Sequence, residues 1–193
     1  MKILLILVFV LKLTCSLGQS TAAPSLRTVL VEQLKTTHNK KDWFVPVNAA
    51  LEGLTPEQAM WKDGSGNHSV GQLAYHLLFW NQRQLANFKG EKETAFSGNN
   101  EETFNAFDKN SWTQTVTKLD NVLSELEKIV MAADESKLKS WAPTIANIST
   151  HNAYHTGQII FVRKLPSVVT TKRRSMLLIK TVGPRRLLNL TMC

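Results

Sequence analysis

The sequence predicts an all-α domain, four helices in a bundle with a long crossover between the second and the third. Three observations predict it. Apolar residues recur at three- and four-residue steps in four windows. Two of those windows open on a Ser-x-x-Gln signature, the pattern of a helix capping box. No stretch alternates polar and apolar residues as a half-buried strand does. The chain has 193 residues, enough for one domain with a proper core, and the bundle is expected over residues 24–166.

The first window starts at Leu26, Val29, Leu30 and Leu34 and resumes at Trp43, Phe44, Val47, Leu51 and Leu54. Pro46 predicts a kink or restart between the two, and Gly53 with Pro56 an end. The turn KDGSGNH at 62–68 precedes Ser69-Val70-Gly71-Gln72, the first capping box. A second helix then runs to about Phe88, with Leu73, His76, Leu77, Trp80 and Leu85 on its inner face. Residues 89–110 are polar and irregular, too long for a tight helical hairpin. They read as a crossover that lets the third helix lie parallel to the second. Ser111-Trp112-Thr113-Gln114 is the second capping box, and Trp112, Val116, Leu119, Leu123, Leu126 and Val130 follow at helical spacing. Pro143 is expected in the last connection. The fourth helix is expected from about Thr144 to Lys164, with Ile145, Ile148, Ile159 and Val162 inward.

Both ends depart from this grammar. Lys2 followed by the nine apolar residues 3–11 reads as a signal peptide over 1–18, with Ser16 and Gly18 at the −3 and −1 positions of the cleavage site. The run is too short to span a bilayer, and Thr14 before Cys15 makes a poor lipoprotein signal. Export follows as the expectation, to the periplasm or the medium, with no membrane span in the mature chain. Export would leave Cys193 as the mature chain's cysteine, so neither a disulfide framework nor a thiolate metal site is expected. Residues 167–193 carry six basic groups and no acid and read as a disordered tail. Taking those six and the leader's two lysines from the 23 basic residues leaves 15 in 19–166, against 15 acids. The formal charge of +8 therefore resides in the ends, and a neutral bundle gives no sign of a nucleic-acid binder.

Five histidines carry the chemistry: 38, 68, 76, 151 and 155. His151 and His155 stand one helical turn apart, on the stripe that holds Ile148, Ile159 and Val162. Imidazoles at that spacing can share a metal ion, or can be ordinary core histidines whose polar atoms find other partners. His76, inward on the second helix, is the natural third ligand. His38, in the polar stretch THNKK, and His68, in the turn before the cap, read as solvated surface residues.

Three segments, LEGLTPEQAMWK, HSVGQLAYHLLFW and THNAYHTGQIIFVRK, resemble the DinB/YfiT-like superfamily of metalloenzymes. The run H-x-x-x-H-x-G-Q-I is the most specific, and the resemblance covers about residues 26–165. It implies a four-helix bundle with a long crossover and a divalent metal, zinc or nickel, held by His76, His151 and His155. The export signal, Pro46 and the basic tail depart from the pattern.

Three neutral histidines leave a coordination position open, the arrangement of a catalytic rather than a closed structural ion. Gln158, Tyr75 and Asn81 are candidates to orient the imidazoles, and Trp43, Phe44 and Trp80 to line a pocket. No acid lies beside the proposed ligands in sequence, so no general base is identified. A metal-dependent hydrolase acting on a small molecule of unknown identity is the first expectation. A thiol-dependent transferase, which the resemblance implies, is less compatible with export. A non-catalytic metal-binding or stress-related protein would use the same ligands. Homodimerisation is left open. Metal binding is expected to weaken below about pH 6, since the ligands must be neutral.

Overall fold

The computed structural model describes residues 23–92, 96–105 and 107–165. The signal peptide and basic tail expected from the sequence lie outside these residues. Seven α-helices form the described part: α1 (Leu26–His38), α2 (Val47–Leu51), α3 (Pro56–Met60), α4 (Val70–Lys89), α5 (Glu102–Asn105), α6 (Trp112–Ala132) and α7 (Glu135–Lys164). No strand occurs among the described residues. None of these helices is long and apolar enough to cross a membrane.

Four long helices make the bundle. α1 packs against α6 and α7, and α4 packs against the same two. Leu34, Leu77, Leu119, Leu126, Leu138, Ile145 and Ile159 meet in the shared core, each 2 % exposed or less. The inner face of α1 is Leu30, Val31 and Leu34; Leu26 and Val29, expected inward, are exposed. Pro46 breaks the first helical window rather than kinking it. It stands as N-cap of α2, because a proline lacks the donor that a continuous helix would need there. Trp43 and Phe44 fall in the linker, with Trp43 96 % exposed, so they pack into neither core nor pocket. Pro56, expected as a stop, opens α3 behind a Thr55–Gln58 capping box, the first-turn position where a proline costs nothing.

The capping box at the start of α4 forms as the spacing predicts. Ser69 Oγ accepts from Gln72 N at 3.2 Å, and Gln72 Oε1 accepts from Ser69 N at 3.0 Å. Gly90 ends the helix in the left-handed conformation at φ +78°. Phe107 then seats its ring on Gly71, where even a Cβ would lie 2.1 Å from it. Lys89 at the far end of α4 pairs with Glu125 of α6 at 3.3 Å. The connection thus carries the chain back to the end of the bundle where α4 begins.

Two helix starts differ from expectation. The box expected at 111–114 forms one turn earlier. Asp108 caps a 3-10 turn over 109–111, and Ser111 reaches back to it instead of capping α6. The fourth long helix begins at Glu135, nine residues before Thr144, with Asp134 accepting from Lys137 N at 2.8 Å. Pro143 sits inside α7 with its ring on the exposed side. Fully buried Leu138 and half-buried Trp141, stacked edgewise on Phe88, hold the first two turns in place despite the lost hydrogen bond.

Candidate metal centre

α4 and α7 meet side by side, and a reciprocal amide pair fixes their register. Asn81 Nδ2 donates to Asn152 Oδ1 at 2.8 Å and to Leu77 O at 2.7 Å, while Asn152 Nδ2 donates to Asn81 Oδ1 at 3.2 Å. Both side chains are buried, so the pair satisfies polar groups that would otherwise be costly. One and a half turns before Asn81, His76 faces α7. Flanking Asn152, His151 and His155 face α4.

The three imidazoles converge. His76 Nε2 lies 3.2 Å from His151 Nε2, and one nitrogen from each of the three rings falls within 4.8 Å of the others. Nitrogens around a tetrahedral zinc, at bonds of about 2.0–2.1 Å, are spaced by about 3.4 Å. The donor set therefore suits a divalent ion of borderline softness. His76 and His155 are buried and His151 half-buried.

Their electrostatics keep them neutral. Burial pushes His76 down to about 3, helped by the neighbouring His155, His151 and His68. Burial and then His155 push His151 down to about 4, against a hydrogen bond with Asn152. Burial lowers His155 as well; its bond to Gln158 opposes the shift and His68 adds to it. The rings thus stay neutral at pH values where an unperturbed imidazole begins to charge, the state that metal coordination requires.

Partners outside the cluster hold two rings by their other nitrogen. His155 Nδ1 donates to Gln158 Oε1 at 2.6 Å, and Gln158 Nε2 donates to Tyr154 Oη at 3.2 Å. His76 Nδ1 stands 2.5 Å from Thr103 Oγ1, in α5 of the crossover. Of the three expected orienting residues, Gln158 contacts His155, Asn81 acts on the helix register, and Tyr75 packs against the core. Thr103 was not anticipated; it lies 27 residues from His76 in a segment with no helical period to point it inward.

The cluster opens on a cavity of about 720 Å³. Trp80 and Phe104 form an aromatic wall, with Ile148 and Tyr154 on the side of α7. Asn100, Gln84 and Asn147 supply amides. No lysine or arginine is among the described lining residues. His68 is not a free surface residue. Its ring stacks on Phe104 at 3.8 Å and 3°, and Phe104 stacks on His76 at 3.9 Å and 4°. Glu101 Oε2 stands 3.5 Å from His68 Nε2 at the cavity's edge. A carboxylate thus reaches the cavity from the crossover, far in sequence from the three clustered histidines.

His38 also departs from expectation. It is 1 % exposed, outside the cluster, and clamped between carboxylates on α6. Nδ1 meets Glu127 Oε1 at 2.6 Å and Nε2 meets Asp120 Oδ1 at 2.8 Å, while Asn48 Nδ2 donates to the same Asp120 oxygen at 2.6 Å. Burial disfavours its charge, but the Glu127 and Asp120 bonds and charges outweigh burial and raise its pKa. The polar neighbours in THNKK concealed this, because the last turn of α1 lies against α6 although the residues after it are solvated.

A family model described as the DinB superfamily matches residues 47–159. No curated protein and no solved structure matches the chain.

Proposed function

The chain belongs to the DinB superfamily, and from that premise we propose that it is an exported metal-dependent hydrolase of a small molecule. Its divalent ion, zinc or nickel, is held by His76, His151 and His155. The observation that carries the reading is the convergence of three imidazoles, none of them charged at neutral pH, at the floor of a cavity. Three protein ligands leave room for a further one, as in catalytic sites. When bound, such an ion supplies Lewis acidity and brings the pKa of a bound water towards about 7. The chain's part is to orient the rings through Thr103 and Gln158, to hold α4 and α7 in register through Asn81 and Asn152, and to present an apolar wall to the substrate.

Export would separate the protein from the cell's pool of low-molecular-weight thiols, which favours hydrolysis over thiol transfer. A non-catalytic metal carrier would use the same ligands but would have no need of an aromatic-walled cavity beside them.

Metal analysis of protein purified without an immobilised-metal column tests the reading. About one equivalent of zinc or nickel is expected, retained below pH 6 and released towards pH 4. Protein that is folded yet takes up no divalent ion at neutral pH would remove the proposal. A panel of neutral esters and amides against carboxylate-bearing thiols then separates hydrolase from transferase.

A further inference from the structure

The segment 99–105 contributes more to the cluster than a wall. Thr103 is 2 % exposed, and its Oγ1 has two close polar neighbours. His76 Nδ1 lies at 2.5 Å and the Asn100 carbonyl oxygen at 2.6 Å. A hydroxyl has one proton to give. A carbonyl oxygen has none, so an oxygen–oxygen approach of 2.6 Å requires the Thr103 proton to lie between them. The contact to His76 must then be made by a proton on Nδ1, with Thr103 Oγ1 accepting. In a neutral imidazole one nitrogen carries the proton and the other a lone pair. Nε2, which faces His151 Nε2 at 3.2 Å, is left as the bare nitrogen. The next residue, Phe104, lies flat on the same ring at 3.9 Å and so holds its plane.

We propose that Thr103 is a positioning residue of this centre, whose hydroxyl fixes His76 as the Nδ1–H tautomer and aims Nε2 at the shared metal position. The metal half of this statement rests on the function proposed above; the tautomer half does not. The anchor is indirect. Asn100 holds Thr103 through its carbonyl, and its side-chain oxygen accepts from the indole N–H of Trp80 at 3.3 Å. The crossover is thereby tied to α4 at the same place where it orients the ligand.

Two measurements on the whole protein test this. In metal-free wild-type protein, long-range ¹⁵N–¹H correlation of the His76 ring should show the Nδ1–H form; an Nε2–H ring would overturn the proposal without any variant being made. Zinc affinity, by competition with a chromophoric chelator, should fall about 10- to 100-fold in Thr103→Val and return to within a few-fold of wild type in Thr103→Ser. Thr103→Val folded to the wild-type circular dichroism and binding zinc as wild type would also overturn it. Wild-type protein that binds no zinc but shows the Nδ1–H ring would remove the metal reading and leave the tautomer assignment standing.

Discussion

His38 and His76 are equally buried, at 1 % and 2 % exposure, and they titrate in opposite directions. Burial opposes the charge of both. What differs is who faces them. His38 meets two carboxylates of α6, which more than repay its desolvation and favour the imidazolium. His76 meets two further imidazoles and the uncharged hydroxyl of Thr103, so nothing offsets its burial and the ring stays neutral. One arrangement makes a cross-link between α1 and α6. The other leaves a neutral ring beside two more, a group that could hold a metal ion. Burial alone does not separate a histidine that cross-links helices from one that stays neutral and free to accept a metal; the charge of its partners does.

The largest effect that could break this contrast is on metal content. His76→Ala or His151→Ala should abolish stoichiometric metal, measured by elemental analysis on folded protein, while His38→Ala should leave it intact. Equal loss in all three would mean that the assignment of roles is wrong. Stability should respond in the reverse order. His38→Ala strands Glu127, whose side chain is 14 % exposed, beside a cavity, while Asp120 is half-exposed and keeps its bond from Asn48. A loss on the order of 2 kcal/mol is expected by urea denaturation of metal-free protein. His76→Ala, which removes a ring that no charge stabilises, should cost less. If metal-free His76→Ala were the less stable variant, the division into structural and ligand histidines would fail.

The same contrast explains what could be read from the sequence. The bundle and its composition were legible because Leu73, Leu77, Leu119, Leu126, Ile145 and Ile159 repeat at helical spacing, and a helix buries one face whatever it packs against. The convergence of His76 with His151 and His155 was legible for the same reason, since all three share stripes with core residues. The start of α7 was misread because proline is a local signal, whereas Leu138 and Trp141 hold the helix through tertiary contact. His38, Thr103 and Glu101 were misread or missed because their roles depend on partners 89, 27 and 33 residues away. No period or cap in their own neighbourhood encodes that.

A smaller effect sharpens the comparison through pH. His38 has a raised pKa in the folded chain, so the folded state holds its proton more tightly than the unfolded one. Its contribution is complete below the ordinary value of about 6.5 and is lost as the pH rises through the folded value. His76 and His151 are lowered, to about 3 and about 4. The unfolded chain therefore takes up their protons first as the pH falls below about 6.5, and the metal-free fold loses stability on the acid side. The two groups thus tilt the stability curve of metal-free protein in opposite senses about the same pH, each by at most about 1.4 kcal/mol per pH unit per proton. Subtracting the His38→Ala curve from that of wild type cancels the groups that His38 does not touch. The difference should be flat between about pH 4.5 and 6.5, decline above 6.5, and fall again in stronger acid as Asp120, whose lowered pKa His38 helps to set, takes up its proton. The corresponding difference for His76→Ala should be flat at neutral pH and turn against the wild type below 6.5. Differences of the same sign would show that the carboxylates on α6 do not hold His38 charged, and the distinction drawn from its partners would be lost.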